Sequence, residues 1–358
     1  MAKARVGVIG CGNISDIYLQ NLGSLFDNLE VAAVADLDPD RARSKASTHG
    51  VAKACTVEEL LADPSIEVVL NLTTPDAHAE VCLAALAAGK HVHTEKPLAI
   101  TLKDAERVLA LARRKGLRVG AAPDTFLGAG IQTCVRLIDE GMIGVPVAAT
   151  AFMANHGPES WHPNPDFFYA QGGGPVFDMG PYYFTALIAL LGPAHRVSGS
   201  VCRSFPGRLI GSGPREGEMI PVQIPTHATG TIDFDCGAIA TFLMSFDVWG
   251  ARLPRIEIYG SDGSLSVPDP NTFGGPVLIR TRDDAEWREI PLTLPWADNS
   301  RGLGLSEMMR AVSENRPHRA SGELGMHALE IMHAIHDASG TGKAVALRSP
   351  VARPAALA

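Results

Sequence analysis

The stretch Val6-Gly-Val-Ile-Gly-Cys-Gly-Asn-Ile-Ser15 places an apolar run directly before two closely spaced glycines. The run is typical of a buried strand, and the residues after it are predicted to form a helix. Gly10 allows a tight turn, and Gly12 lets a ligand approach the backbone without a Cβ in the way. The helix N-terminus supplies unpaired N–H groups and a partial positive charge. The stretch therefore predicts a pyrophosphate socket, in which Ser15 is small enough to replace a third glycine.

A second apolar run, Val31–Ala35, ends at Asp36, near the offset of about 20 residues at which an acidic residue binds the adenine ribose. A carboxylate there accepts hydrogen bonds from two ribose hydroxyls and repels a 2′-phosphate, which favours NAD over NADP. The alternative is that Asp36 only begins the turn to Pro39. NADP stays open as a cofactor, because Arg41 and Arg43 are close enough to contact a phosphate.

The bulk composition describes an ordinary soluble protein of two domains. A length of 358 residues exceeds the usual size of one core. The net charge of −8 argues against a nucleic acid or a membrane surface as partner. The six cysteines form no Cys-x-x-Cys pair, which fits a reducing compartment. With neither a leader nor a membrane-spanning run in evidence, we expect a cytoplasmic protein.

Residues 1–123 alternate between strand and helix patterns, which predicts parallel βαβ units in a doubly wound α/β domain that binds a dinucleotide. Ligands of such sheets bind at the carboxyl ends of the strands. The predicted strands lie near 5–10, 30–36, 66–72, 90–95 and 118–122, and the predicted helices near 13–25, 39–49, 76–88 and 101–116.

Residues 124–358 are predicted to form an α+β domain around an open, mainly antiparallel sheet with helices on one face. In 226–235 apolar and polar residues alternate, which is typical of a sheet with one polar face. Such a face often serves as a subunit interface, so we expect a homo-oligomer, a dimer or a tetramer. The segment 206–225 is predicted to be a long loop. The predicted strands lie near 146–155, 195–205, 226–235, 238–248, 255–260, 277–282 and 286–293, and the predicted helices near 129–140, 175–191, 303–315 and 321–340.

Two segments carry residues suited to catalysis. Lys96, in Glu95-Lys-Pro97, follows a strand of the dinucleotide-binding domain, and its ammonium can stabilise negative charge on a substrate oxygen. Asp178 and Tyr182 are four residues apart, so they share one face of a helix and can hold a polyol and move a proton. The alternatives are a surface lysine, an N-capping aspartate and a half-buried tyrosine.

The chain resembles the glucose–fructose oxidoreductase, inositol dehydrogenase and rhizopine-catabolism (Gfo/Idh/MocA) family over nearly its whole length. The resemblance rests on Val6–Ser15, Asp36, Thr73–Pro75 with His78, Glu95–Pro97, and the Gly-Gly-Gly run before Asp178 and Tyr182. It implies a Rossmann domain followed by an open-sheet domain. It also implies hydride transfer between NAD(P) and a hydroxyl carbon of sugars, sugar derivatives or inositols.

The resemblance implies roles for individual residues as well. Lys96 corresponds to the catalytic lysine, Asp178 to the substrate-binding aspartate, and the Lys96–Pro97 bond is expected to be cis. The residues expected to contact the cofactor are Gly10, Gly12, Asn13, Ile14, Asp36, Thr73, Thr74, Pro75, His78, Glu95 and Lys96.

Tyr182 stands where many members of the family carry a histidine as general acid and base. A phenol is a poorer base than imidazole at neutral pH, because its reference pKa is about 10. Lys96 and the positive nicotinamide ring would favour the phenolate. Alternatively Tyr182 only holds the hydroxyl while another group takes the proton, and Tyr183 is an adjacent competitor for the role.

The loop that leads into the glycine run is expected to border the sugar. Trp161 offers an apolar face to C–H groups, and His156 and His162 offer polar contacts; the alternative is a structural loop with Trp161 in the core. His91 and His93 alternate along a strand in a way that packing explains, and no metal is predicted.

Two other functions use the same sequence features. The first is a glycoside-cleaving enzyme in which tightly held NAD oxidises the sugar transiently, so that the net reaction is hydrolysis. The second is a non-catalytic sensor of a dinucleotide or a sugar, which would not need both Lys96 and Asp178. A ketosugar reductase would use the same residues as a dehydrogenase.

Overall fold

A computed structural model describes residues 3–162 and 164–357. Its strands are β1 (Ala4–Ile9), β2 (Leu29–Ala35), β3 (Ala54–Cys55), β4 (Val68–Asn71), β5 (His91–Thr94), β6 (Val119–Ala121), β7 (Pro146–Ala154), β8 (Ala194–Cys202), β9 (Gly207–Leu209), β10 (Met219–Pro221), β11 (His227–Phe234), β12 (Ile239–Ser245), β13 (Ile256–Gly260), β14 (Gly263–Val267), β15 (Val277–Thr281), β16 (Arg288–Ile290) and β17 (Val345–Ala346). Its α-helices are α1 (Ser15–Ser24), α2 (Pro39–His49), α3 (Val57–Ala62), α4 (His78–Ala87), α5 (Leu102–Lys115), α6 (Ala129–Asp139), α7 (Pro175–Leu191), α8 (Leu303–Ser313) and α9 (Gly322–Thr341).

The chain forms two compact units. The first contains the residues up to Leu127 together with Asp298–Met326, and the second contains Gly128–Ala297 and the residues from His327 onward. The predicted domain boundary at 123/124 lies close to the end of the first segment. Residues 298–326, which carry α8, pack with the first unit although they come late in the chain.

The first unit is built on a parallel sheet of six strands in the order β3-β2-β1-β4-β5-β6. This is the strand order of a doubly wound dinucleotide-binding fold. The central strands are buried on both faces, so they consist of continuous apolar residues such as Val68, Val69 and Leu70. The prediction of an N-terminal parallel α/β sheet is therefore confirmed.

Helices α2, α3 and α5 of the first unit begin at side-chain caps that their sequences specify. The Asp38 side chain accepts hydrogen bonds from the first turn of α2, and Gly50 ends the same helix with a φ of 68°. Strand β3 and helix α3 are not among the elements predicted from the sequence. The sequence feature that marks the start of α3 is the capping box between Thr56 and Glu59, in which each side chain bonds the backbone N–H of the other residue.

The second unit contains a nine-stranded sheet in the order β16-β15-β14-β13-β7-β12-β11-β8-β17. All neighbours are antiparallel except β7 and β12. Helices α6 and α7 pack on this sheet. In β11, Ala228 and Ile232 are buried and Thr229 is exposed, as the alternation predicts. The prediction of an open, mainly antiparallel sheet is confirmed.

The prediction of one long loop at 206–225 is wrong, because β9 and β10 form a two-stranded hairpin there. Each of these strands has only three residues, which is too short for an alternating apolar and polar pattern to be recognised among the surrounding glycines and prolines. Arg208 and Ile220 point to the buried side of the hairpin, and Leu209 and Met219 are exposed.

None of the helices in the described part of the chain has the length and apolar character that spanning a membrane requires.

Candidate active site

Four loops of the first unit follow the parallel, adjacent strands β2, β1, β4 and β5. The carboxyl ends of parallel strands meet at one edge of a sheet, and the strand order reverses between β1 and β4, where ligands of such sheets bind. We call this the dinucleotide edge; its residues are 10–14, 36, 72–75 and 95–97. The loop residues expected to contact the cofactor all lie along it.

Gly10 and Gly12 have different roles in the turn after β1. Gly10 has a φ of +101°, and a Cβ there would lie 2.6 Å from the backbone carbonyl carbon of Leu72. A Cβ on Gly12 would meet no atom within 4 Å. Ser15 is fully buried, and its hydroxyl donates to the Gly12 carbonyl at 2.7 Å. Gly10 is therefore required by the protein itself, whereas the space over Gly12 is open to a ligand, and Asn13 and Ile14 are exposed beside it.

Asp36 connects the first two loops of the dinucleotide edge. Its Oδ2 accepts from the Cys11 N–H at 2.7 Å, and its Oδ1 accepts from the Asp38 N–H at 2.9 Å. The guanidinium of Arg41 lies 3.6 Å from Oδ1. A carboxylate has about four acceptor positions, so these bonds orient the Asp36 side chain and leave capacity for hydroxyl donors.

His78 connects the other two loops. It is 1% exposed, with Nδ1 2.7 Å from the Pro97 carbonyl oxygen and Nε2 3.0 Å from the Thr73 carbonyl oxygen. Burial lowers the pKa of His78, so the neutral imidazole donates to one carbonyl at a time. Thr73 is also held by Asn71, whose Oδ1 accepts from its N–H and its hydroxyl. His78 thus contacts the backbone of both loops, while Thr74 is exposed and Pro75 is half-buried.

Lys96 is half-buried just after β5, and the Lys96–Pro97 bond is cis, as the resemblance implies. The Glu95 carboxylate, 8% exposed, accepts from the Lys96 backbone N–H at 2.9 Å. Its other oxygen accepts from the buried Tyr18 hydroxyl of α1 at 2.8 Å. Glu95 therefore fixes the backbone from which the Lys96 side chain extends. Sequence reasoning missed Tyr18, because an apolar helix face gives no sign of a phenol directed at another loop.

A second buried carboxylate lies in the same unit. Asp124 is 1% exposed, and its Oδ2 accepts from the N–H groups of Gly302 and Gly304 at 2.9 Å each. Burial raises the pKa of Asp124 to about 6, and the nearby Glu95 charge acts in the same direction. Asp124 attaches the start of α8 to the end of the βα sheet, a role that no sequence motif indicates.

In the second unit, α7 carries Asp178 and Tyr182 one turn apart, so both lie on one face of the helix as predicted. Asp178 is half-buried and Tyr182 is 8% exposed. Tyr183 is fully buried, and its hydroxyl donates to the Phe152 carbonyl at 3.3 Å. Burial raises the pKa of Tyr183 well above its ordinary value. Tyr183 is thus a poor candidate for a base at neutral pH.

Residues 155–162, which we call the aromatic loop, precede α7. Trp161 is 67% exposed, so the alternative that it packs in the core is wrong. The His156 ring stacks on Trp249 with centroids 3.4 Å apart. His162 contacts Trp161 edge to face, and also Phe167 and Phe168. The loop therefore presents aromatic and imidazole surface, which suits the C–H and hydroxyl groups of a sugar.

The dinucleotide edge fits NAD on its own geometry. The open space over Gly12 and the N-terminus of α1 suit a pyrophosphate. The oriented carboxylate of Asp36 suits a ribose diol. The first unit would thus hold the dinucleotide through Gly12, α1 and Asp36.

Two family models match the chain. The model described as an oxidoreductase family with an NAD-binding Rossmann fold matches residues 4–122. The model described as the GFO/IDH/MocA C-terminal domain matches residues 131–266.

Relatives of known name match the chain over almost its full length. It is 29% identical over 353 residues to the 1,5-anhydro-D-fructose reductase of Ensifer adhaerens, covering 96% of this chain and 99% of that protein. It is 26% identical over 336 residues to the myo-inositol 2-dehydrogenase of Thermotoga maritima, covering 92% and 94%. The crystal structure of an NAD-binding oxidoreductase from Klebsiella pneumoniae matches with a TM-score of 0.86 at 20% identity, covering 98% of this chain and all of that one.

Proposed function

The chain belongs to the Gfo/Idh/MocA oxidoreductase family, and on that premise we propose that it transfers a hydride between NAD and a hydroxyl or keto carbon of an uncharged sugar, sugar derivative or cyclitol. The observation that carries the proposal is Lys96 at the dinucleotide edge, where its backbone is held by Glu95. The relatives named above act on an anhydrosugar and on an inositol, which supports this substrate class.

In the proposed reaction the alcohol loses a hydride from carbon and a proton from oxygen. Bound NAD supplies the acceptor of the hydride. Lys96 donates to the reacting oxygen and stabilises the negative charge that develops on it. Tyr182, acting as the phenolate, accepts the hydroxyl proton and becomes the neutral phenol, and Asp178 accepts hydrogen bonds from neighbouring hydroxyls. The reduction of a ketone runs through the same residues in the opposite direction.

The charges of these residues support an uncharged substrate. Lys96 brings one positive charge and Asp178 one negative charge, so the pair is balanced without a charged ligand. Burial and the nearby Arg208 lower the pKa of His156, which keeps this imidazole neutral. A phosphate or carboxylate on the substrate would gain no net attraction from this set.

The orientation of Asp36 supports NAD rather than NADP, because its charge stands where a 2′-phosphate would be repelled. Replacing Asp36 by serine removes that charge while Arg41 remains beside it. We expect the ratio of kcat/KM for NAD to kcat/KM for NADP to fall by about tenfold or more. An unchanged ratio would contradict the assignment of Asp36 to the ribose.

The test of the proposed function is a panel of neutral sugars and cyclitols with NAD, followed through NADH absorbance. We expect NADH to accumulate with at least one of them, and charged analogues to react more slowly. Sugar released from a glycoside without accumulation of NADH would favour the glycoside-cleaving reaction instead. Binding of sugar or NAD without any turnover would favour a sensor.

The proposed enzyme is a cytoplasmic homo-oligomer, a dimer or a tetramer, that associates through the polar face of the nine-stranded sheet. That face includes Ile239, 49% exposed, and the half-buried Leu243 four residues further along β12. Replacing both by lysine should reduce the particle mass measured by light scattering toward the 37.9 kDa of one chain. An unchanged mass would place the interface elsewhere.

A further inference from the structure

A buried ion cluster in the second unit lies outside the residues assigned to the reaction. Arg208 of β9 is 5% exposed in its side chain, and the carboxylates of Glu159 and Asp247 are 6% and 8% exposed. The Arg208 Nε lies 3.3 Å from Glu159 Oε1, and its Nη2 lies 3.5 Å from Asp247 Oδ1. We call these three residues with Tyr169 the Arg208 cluster. Burying such charges requires compensating partners, so the cluster needs an explanation.

The guanidinium holds backbone as well as carboxylates. Its Nη2 donates to the His156 carbonyl at 3.0 Å and to the Phe246 carbonyl. Arg208 therefore contacts the aromatic loop at two points, His156 and Glu159, and also holds the residue before Asp247. A planar fork of five donors can do this, whereas a lysine ammonium is a single point with three donors.

The two carboxylates are fixed by further hydrogen bonds. Glu159 accepts from the Tyr169 hydroxyl, and Asp247 accepts from the Thr226 hydroxyl at 2.7 Å. The backbone N–H of Gly211, in the hairpin that carries Arg208, donates to the Glu159 carbonyl at 2.9 Å. Segments far apart in sequence thus converge on the aromatic loop and on Asp247.

The rings presented by the aromatic loop depend on this support. His156, whose carbonyl is held by Arg208, stacks on Trp249, and Trp161 follows directly after the 3-10 turn that contains Glu159. Trp249 is 85% exposed and belongs to the segment that follows Asp247. Trp161 and Trp249 are therefore each close in sequence to backbone that Arg208 or Glu159 contacts.

We infer that Arg208 is a positioning residue for substrate binding, which sets the shape of the aromatic loop and so the affinity and selectivity for the sugar. The inference rests on the proposed function. It assigns to Arg208 no contact with the reacting atoms, so its loss acts on the binding of the sugar more than on hydride transfer. A binding group displaced by about 1 Å loses much of its contribution.

The test compares Arg208→Met and Arg208→Lys with Arg282→Met as the matched control. Arg282 is a 75% exposed arginine of the same unit, paired only at the surface with Asp262 and Asp283. For Arg208→Met we expect the KM for the sugar to rise about tenfold or more, with kcat and the KM for NAD changed less than about threefold. Arg208→Lys should recover part of the loss, and the relative rates with sugars of different size should become more alike.

Each outcome decides the question. Activities are measured well below the melting temperature of each variant, and if Arg208→Met does not fold, Arg208→Lys carries the test, with a smaller rise in KM expected. An active wild type whose sugar KM and selectivity are unchanged in the folded variants overturns the inference alone. A fall in kcat with unchanged KM overturns it as well. A wild type that turns over no sugar overturns the proposed function, and the inference with it.

Discussion

The dinucleotide edge and the aromatic loop are both predicted ligand-binding regions, but they are constructed differently. The dinucleotide edge is held by bonds to backbone atoms: Asp36 accepts from the Cys11 N–H, and His78 contacts two carbonyl oxygens. The aromatic loop is held by a side chain, Arg208, that is 52 residues away from His156 in sequence. The first region is determined by strand ends and glycines, and the second by a buried ion cluster.

The two regions are built differently because their ligands place different requirements on binding. Every dinucleotide presents the same pyrophosphate, so backbone N–H groups at a glycine turn suffice to bind it. Sugars differ in the arrangement of their hydroxyls, and distinguishing them requires side chains in defined positions. If Arg208 positions the aromatic loop as we infer, substitutions in the Arg208 cluster should alter sugar selectivity while the parallel sheet stays unchanged.

The largest expected effect is on Lys96, which belongs to the dinucleotide edge but is proposed to act on the substrate. Lys96→Met should lower kcat by about a thousandfold, because the developing charge on oxygen loses its donor. The dissociation constant of NAD, measured by protein fluorescence, should change little. Lys103→Met, at an exposed lysine of α5, serves as the control. An unchanged kcat would show that Lys96 takes no part in the reaction.

Tyr182 and Tyr183 provide a test on adjacent phenols. Tyr182→Phe should lower kcat by about a hundredfold, the usual range for loss of a general base. Tyr183→Phe should leave kcat within about threefold, because its hydroxyl bonds the Phe152 carbonyl and burial raises its pKa. Steady-state rates at saturating sugar separate the two variants. A larger loss of kcat in Tyr183→Phe than in Tyr182→Phe would assign the proton transfer to Tyr183 instead.

Substitution of Gly10 and of Gly12 at the dinucleotide edge should have different effects, the first on stability and the second on NAD binding. Gly10→Ala puts a Cβ 2.6 Å from the Leu72 backbone at a positive φ, so we expect a loss of about 2 kcal/mol or more in the free energy of unfolding without NAD. Gly12→Ala has open space, so it should unfold like the wild type and bind NAD about tenfold more weakly. Urea denaturation and NAD titration of both variants check this. Equal stabilities would contradict the division of roles.

The last expected effect is a pH dependence of stability from Asp124. Its pKa is raised from the ordinary 3.8 to about 6 in the folded state, so folding binds a proton in that window. The contribution favours the folded state below pH 4 and is lost as the pH rises to about 6, on the order of 2 to 3 kcal/mol. Asp124→Asn should remove this slope and gain stability relative to wild type at pH 7. Parallel curves of unfolding free energy against pH would contradict the assignment.

The sequence predicts backbone-determined structure well and side-chain clusters poorly. The turn from Gly10 to Ser15, the start of α7 at Pro175 and the alternation of β11 follow from local patterns, and the structure has them. Arg208 gives no such signal, because its partners Glu159 and Asp247 are distant in sequence and its strand has three residues. The same holds for Tyr18 on Glu95 and for Asp124 on Gly302, which depend on tertiary packing.

The central proposal is that Lys96 and Tyr182 act on the same hydroxyl in one step. A double-mutant cycle of kcat/KM with Lys96→Met, Tyr182→Phe and the combined variant tests it directly. Residues that act as a unit lose far less together than the product of their separate losses. We predict that the double variant is nearly as active as the poorer single variant. Losses that multiply in full would show two independent contributions and contradict the claim.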